Sequence, residues 1–76
     1  MPGKMKNTNY IVNYGKPHTR YEPGEVIKHS KTVKTKKKAL ELIKQSENRP
    51  FDDTVTSVDH LGYSVFDFEN GWMGLP

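Results

Sequence analysis

The stretch Lys28–Lys44, KHSKTVKTKKKALELIK, combines the strongest charge bias in the chain with its clearest helical pattern. Lys28–Lys38 contains six lysines and no acidic residue. Apolar residues then follow at the spacing of one helix face, at Ala39, Leu40, Leu42 and Ile43. This pattern predicts a basic strand that leads into an amphipathic helix, with the rest of a sheet built around it.

The limits of this helix are indicated by a capping residue and by a proline. Thr35 suits the N-cap position because its hydroxyl can accept a hydrogen bond from an amide of the first turn. Pro50 disfavours the helical conformation at the residue before it, so Asn48-Arg49-Pro50 marks the end. The predicted helix therefore covers about Lys36 to Glu47.

Four segments rich in β-branched and aromatic residues are predicted to be strands. They are Tyr10–Tyr14, Glu25–Lys34, Thr54–Val58 and Tyr63–Phe68. The first two are joined by Gly15–Gly24, in which two glycines and two prolines indicate a loop. The last two are joined by Asp59–Gly62, which suits a type I turn followed by a bulge. Because Val55 and Val58 fall on opposite faces of a regular strand, we expect a bulge in the third strand or cover on both of its faces.

The order of these elements, β-β-α-β-β, predicts an α+β fold in which one helix packs on a four-stranded, mostly antiparallel sheet. Residues 8–70 are expected to form a single domain, since a chain of 76 residues provides one modest hydrophobic core. Residues 1–7 are expected to be a flexible arm, and residues 71–76 a short apolar tail. The absence of cysteine excludes disulfides and thiolate metal sites.

The net charge of +3 is unevenly distributed along the sequence. Residues 1–40 contain ten Lys or Arg and two acidic residues, a net charge of +8, whereas residues 41–76 contain two and seven, a net charge of −5. Such a chain offers an anionic partner a basic surface if the fold keeps the two halves apart in space. No apolar run approaches the roughly 18 residues of a membrane span, and the N-terminus lacks the apolar core of a signal peptide. A cytoplasmic location without membrane contact is therefore expected.

The lysines at the predicted helix start are locally unfavourable, because the N-terminus of a helix favours acidic residues. They are explained either as a solvated surface or as contacts for the phosphates of a nucleic acid or another polyanion. The leading functional hypothesis is a non-enzymatic module that binds an anionic partner, with nucleic acid as the first choice. The predicted contacts are Arg20, Tyr21, Lys28, Lys31, Lys34, Lys36, Lys37 and Lys38.

Tyrosines near these basic residues add a second indication, since nucleobases stack on aromatic rings while lysines contact phosphates. The candidates are Tyr10, Tyr14, Tyr21 and Tyr63. The competing interpretation is that strand tyrosines pack against the helix and keep their hydroxyls at the rim. The sequence carries no RNP-type run, zinc-finger spacing or helix-turn-helix pair, so no specific nucleic-acid module is supported.

The sequence does not favour an enzyme. His18, His29 and His60 lack the spacing of a helical metal pair and have no cysteine to join them. The acidic residues of the second half lie largely at predicted turns, and turn chemistry explains them more simply than a magnesium site. There is also no Gly-rich phosphate loop and no nucleophile elbow, so no catalytic residue, metal or cofactor is predicted.

The alternative hypothesis is a small protein-binding effector or inhibitor, of the kind found among phage and mobile-element accessory proteins. It would dock on a larger protein, or self-associate into a homo-oligomer, through its apolar C-terminal tail. Docking of this tail on the protein's own sheet is the competing structural explanation. The residues that would carry an intermolecular contact are Phe68, Trp72, Met73 and Leu75.

Overall fold

The computed structural model describes residues 9–73. Their elements follow in the order β1 (Tyr10–Lys16), β2 (Val26–Val33), α1 (Lys36–Ser46), a 3₁₀ turn (Phe51–Asp53), β3 (Thr54–His60), β4 (Tyr63–Asp67) and β5 (Gly71–Trp72). The predicted arm at residues 1–7 and the last three residues of the predicted tail lie outside the described residues. The α+β class expected from the sequence is confirmed.

Within residues 9–73 the strands form one five-stranded sheet in the order β2-β1-β3-β4-β5, and every neighbouring pair is antiparallel. The predicted four-stranded sheet is therefore wrong by one strand. The additional strand is β5, whose residues Gly71 and Trp72 pair with Asp67 and Phe66. Two residues are too few to show the alternation that identifies a strand in a sequence. The sequence pattern therefore places Gly71 and Trp72 in the apolar tail.

Strand β1 lies between β2 and β3 in the folded sheet, whose middle strand is β3. The connection from β2 to β3 passes through α1, which packs against β1 and β3 on one face of the sheet. This face is called the helix face below. It carries the hydrophobic core, in which Val12 and Tyr14 of β1 meet Val55 and Val58 of β3. The helix is thus the cover that a sheet of this size needs to bury its apolar residues.

The helix begins as predicted. Thr35 Oγ1 accepts a hydrogen bond from the Lys38 amide at 3.1 Å, which is the N-cap geometry. The helix ends at Ser46, with Glu47 in the C-cap position, so it is one residue shorter than expected. Ala39 and Leu42 are buried in the core, whereas Leu40 is on the solvent side of the predicted apolar stripe.

Two irregularities shape strand β3 and the turn that follows it. The β1–β3 register skips Thr56, because Asn13 pairs with Ser57 and Tyr14 pairs with Val55. This bulge is the one expected from the parity of the valines in β3, and it allows both of them to point into the core. The β3–β4 turn contains only Leu61 and Gly62, with φ angles of 54° and 83°. Positive φ at both positions defines a type I′ turn, so the predicted four-residue turn with a bulge is wrong.

The orientation of the helix predicts a difference between its leucines. We expect Leu42→Ala to lower the free energy of unfolding by about 2–5 kcal/mol, because the side chain is 7% exposed and its removal leaves a cavity. Leu40→Ala is the matched control, since its side chain is 41% exposed, and should cost less than about 1 kcal/mol. Urea unfolding followed by circular dichroism measures both values. Equal losses would contradict the packing of α1 described above.

Candidate nucleic-acid interface

Strand β2 carries the first part of the basic surface. In the described part of the chain β2 is an outer strand that pairs only with β1, and its residues are exposed except for Val33. Lys28 and Lys31 lie on this strand, and Lys34 lies in the short link that leads to α1. Since a strand rises about 3.3 Å per residue, the three lysines are spaced at intervals of roughly 10 Å.

The start of α1 continues this surface. Lys36, Lys37 and Lys38 are exposed, and the first helical turn contains no acidic residue. Lys36 Nζ lies 5.2 Å from the centre of the Trp72 ring, a cation–π contact. Lys38 Nζ is 3.6 Å from Glu41 Oε1 within the same helix.

These lysines follow one another along β2, the link to α1 and the first turn of the helix, and we call them the basic edge. The basic edge consists of Lys28, Lys31, Lys34, Lys36, Lys37 and Lys38.

The acidic second half of the chain leaves most of the basic edge uncompensated. Within residues 9–73 two members pair with acids of that half: Lys28 Nζ lies 3.4 Å from Asp52 Oδ2, and Lys38 Nζ lies 3.6 Å from Glu41 Oε1. Asp59 instead accepts a hydrogen bond from Asn13, and Asp67 accepts hydrogen bonds from the Glu69 and Asn70 amides. Asp59 and Asp67, the acids of β3 and β4, are therefore engaged in these hydrogen bonds and not in ion pairs with the lysines at the helix start.

Arg20 and Tyr21 lie far from the helix start. Strand β1 extends to Lys16, so the connection to β2 covers residues 17–25 and leaves the sheet at the end opposite Tyr10. The Glu22 amide donates to Thr19 Oγ1 at 3.0 Å and the Gly24 amide donates to His18 Nδ1 at 3.1 Å. Eight residues of β2, about 25 Å, separate this loop from α1. The structure therefore does not bring all the predicted nucleic-acid contacts together.

An ion cluster lies near the loop end of β2. His29 Nε2 donates to Asp53 Oδ1 at 3.0 Å, and the Arg49 guanidinium donates to Asp53 Oδ2 at 2.6 Å. The hydrogen bond from His29, followed by that from Arg49, holds the pKa of the Asp53 carboxyl below its usual value. The His29 ring also stacks on Tyr14, with ring centres 4.8 Å apart. Because Arg49 is paired with Asp53, this cluster ties β2 to the 3₁₀ turn and adds little free positive charge.

The other end of β2 adjoins a group of aromatic rings. Val33 pairs with Tyr10 at the last position of β2, so α1 begins above the end of the sheet where Tyr10 lies. Tyr10 and His60 are stacked with ring centres 3.9 Å apart, and Trp72 lies 6.2 Å from Tyr10. Tyr63 is the cross-strand partner of His60 and is 65% exposed.

These rings surround a cavity of about 450 Å³. We call it the aromatic pocket. Its lining includes Tyr10, Lys36, His60, Tyr63, Val65 and Trp72.

The aromatic pocket differs from the tyrosine platform suggested by the sequence. Tyr10 and Tyr63 belong to it, but Tyr14 is buried beneath Arg49 and Tyr21 is in the distant loop. His60 and Trp72 also line the pocket, but the sequence pattern assigns His60 to a turn and Trp72 to the protein-binding tail. The signal that relates them is strand register, which aligns Tyr10 with His60 and His60 with Tyr63.

Phe68 and Trp72, two residues of the alternative, protein-binding hypothesis, contact different groups of side chains. Trp72 is in β5 and packs against the core, and the Met73 amide donates to the Val65 carbonyl at 2.8 Å. Phe68 instead contacts Phe51 edge to face, with ring centres 5.8 Å apart. This pair lines a second cleft of about 390 Å³ between the end of α1 and the sheet. Leu75 lies outside the described residues.

The next two features are metal-binding clusters and membrane-spanning helices, and residues 9–73 contain neither. Among residues 9–73 there is no group of three or more His, Asp or Glu side chains that could hold a metal ion. In the same part of the chain no helix has the length and apolar character needed to cross a membrane.

Comparison with protein-family models, with curated proteins and with solved structures finds no match for this chain.

The lysines at the helix start should reduce stability, and this is testable. We expect Lys37→Glu to raise the free energy of unfolding by about 0.5–1 kcal/mol, because it replaces an unfavourable charge at the positive end of the helix dipole. Lys44→Glu is the matched control, since Lys44 is in the last turn and the same change should be destabilising there. Thermal unfolding at low ionic strength measures both variants. A shift of the same sign in both would contradict the dipole argument.

Proposed function

We propose that this protein is a non-enzymatic module that binds nucleic acid through the basic edge. The observation that supports this proposal most directly is the lack of charge compensation. Lys31, Lys34 and Lys37 are exposed and form no ion pair with any described residue. Their charges also oppose the helix dipole or repel one another, so the fold itself gains nothing from this arrangement.

The extent of the basic edge favours a polyanion over a small anion. Lys28 and Lys34 have five strand residues between them, a distance of roughly 20 Å, and the helix start continues beyond Lys34. A single phosphate cannot contact charges spread over that distance, whereas a strand of DNA or RNA presents a phosphate at every nucleotide. Contacts of this kind release counterions and carry little sequence information, so binding should depend steeply on salt and weakly on sequence.

A pair of charge reversals tests the proposal. We expect Lys34→Glu to weaken binding to labelled oligonucleotides by about tenfold or more and to reduce the slope of log K against log salt by about one. Lys44→Glu changes the net charge by the same amount at an exposed position outside the basic edge. It should leave the slope unchanged. Fluorescence anisotropy over a series of salt concentrations measures both effects.

Two outcomes would contradict the proposal. The first is a failure of the wild-type protein to bind single-stranded or duplex DNA or RNA at micromolar concentration in low salt. The second is an equal loss of affinity in Lys34→Glu and Lys44→Glu, which would mean that only the overall charge matters.

Protein binding is a second candidate function, favoured by the Phe51–Phe68 pair. These side chains are 48% and 40% exposed and border the second cleft, next to Ile43 and Phe66. Exposed aromatic residues beside a cleft are typical contact points of protein interfaces. For the self-associating form of this hypothesis, sedimentation equilibrium should show an oligomer that Phe68→Ala converts to monomer. A wild-type protein that is monomeric at high concentration would contradict that form.

A further inference from the structure

We infer that the aromatic pocket takes one unpaired nucleobase, so that the protein prefers single-stranded nucleic acid to duplex. This inference depends on the proposed function, because the same strand would continue from the pocket along the basic edge. It names an unpaired nucleobase as the ligand of Tyr63 and Trp72, whose place in the pocket is not explained by the lysines of the basic edge.

The dimensions and lining of the pocket fit a base. Its volume of about 450 Å³ lies within the range of about 300–1,000 Å³ that is usual for small-ligand sites. Tyr63 and Trp72 contribute aromatic rings from β4 and β5, which are neighbouring strands. The buried side chain of Val65 adds an apolar surface to the lining. Base-to-ring stacking tolerates any base, because every base has an aromatic face.

The charge of the pocket also fits a nucleotide. Lys36 contributes its ammonium group next to the Trp72 ring, and no acidic residue is found among the described side chains of the lining. A stacked base and its phosphate need an aromatic ring and a cation close to each other, and this pair provides both. Lys34 and Lys37 are near neighbours of Lys36 in the chain, so the next phosphates of the strand would reach the basic edge.

A duplex cannot use the pocket in the same way. In a duplex each base is covered on both faces by its neighbours, and a base can enter a pocket only after it has been unpaired and unstacked. A flexible single strand avoids most of this cost. The preference for single strands is therefore a consequence of stacking, whereas the basic edge by itself would accept either form.

The second cleft does not offer the same combination. Its cation, Arg49, is held by Asp53 at 2.6 Å, and Glu47 contributes a negative charge to the lining. Phosphate would be repelled by the glutamate and would have to compete with the aspartate for the guanidinium. The aromatic pocket is thus the better base-binding site of the two.

The natural fluorescence of Trp72 provides a direct test, because it is the single tryptophan of the chain. We expect a single-stranded deoxyadenosine oligonucleotide to quench this fluorescence, and the corresponding duplex to bind more weakly with little quenching. Tyr63→Ala should weaken single-strand binding by about 5- to 150-fold, the range expected for loss of one stacking ring. Tyr63→Phe keeps the ring and should bind like the wild type.

Controls separate this inference from the proposed function. Tyr63 is exposed, so its substitution leaves the core intact, and Phe51→Ala removes an exposed ring from the other cleft without touching the pocket. Binding of single strand and duplex with equal affinity, unaffected by Tyr63→Ala, would overturn the pocket and leave the basic edge in place. Absence of binding by every oligonucleotide would overturn both. Loss of affinity in Phe51→Ala equal to that in Tyr63→Ala would also overturn the pocket.

Discussion

The hydrogen bonds of one side chain, Asn13, hold β1 in register with both of its neighbours, β2 and β3. Asn13 is 8% exposed, and its amide contacts both neighbours of β1. Its Oδ1 accepts from Ser30 Oγ of β2 at 2.7 Å, and its Nδ2 donates to Ser57 Oγ and Asp59 Oδ2 of β3 at 3.1 Å each. A slip of one residue would move these groups to the opposite face and leave a buried amide without partners, at a cost of about 1–3 kcal/mol. The valines of the core would specify the register less sharply, since they resemble one another in size and shape.

The register determines where the functional groups lie. With Asn13 between Ser30 and Ser57, Tyr10 falls opposite Val33 on one side and His60 on the other. Strand β2 then ends beside Tyr10, and the helix must begin at that end of the sheet because the link from Val33 to Lys36 is short. Lysines and aromatic rings from distant parts of the sequence meet there for this reason. At the opposite end, Lys28 is paired with Asp52, and His29 is hydrogen-bonded to Asp53. The loop end and the helix end of the β1–β2 hairpin thus differ in the amount of positive charge that has no acidic partner. The positions of the lysines in the sequence do not show this difference.

Local features of the fold were predictable, and features that depend on tertiary contacts were not. The N-cap at Thr35 and the stop at Pro50 depend on residues close to the helix ends, so the helix was found to within one residue. The bulge in β3 followed from the parity of its valines. Strand order, the pairing of β5 and the position of β1 between β2 and β3 depend on contacts between distant segments, which periodicity does not encode. For the same reason the exposed lysines could be identified from their charge pattern, whereas His60 and Trp72 could not be assigned to a common pocket. The separation of Arg20 and Tyr21 from the helix start likewise became visible only once the direction of β2 was known.

The position of the lysines at the helix start shows which residues the fold does not require. Ala39 and Leu42 are buried and hold α1 on the sheet, so their identity is explained by packing alone. Lys36, Lys37 and Lys38 are exposed and are not among the buried residues of the core, and acidic residues at these positions would suit the helix dipole better. Lys36 gains a contact with Trp72 and Lys38 gains one with Glu41, but exposed contacts of these kinds are worth only about 1 kcal/mol or less. Lys37 has no such contact among the described residues. A protein with a small core has little stability to spare, so a charge that reduces it at an exposed position is an observation in favour of the proposed nucleic-acid binding.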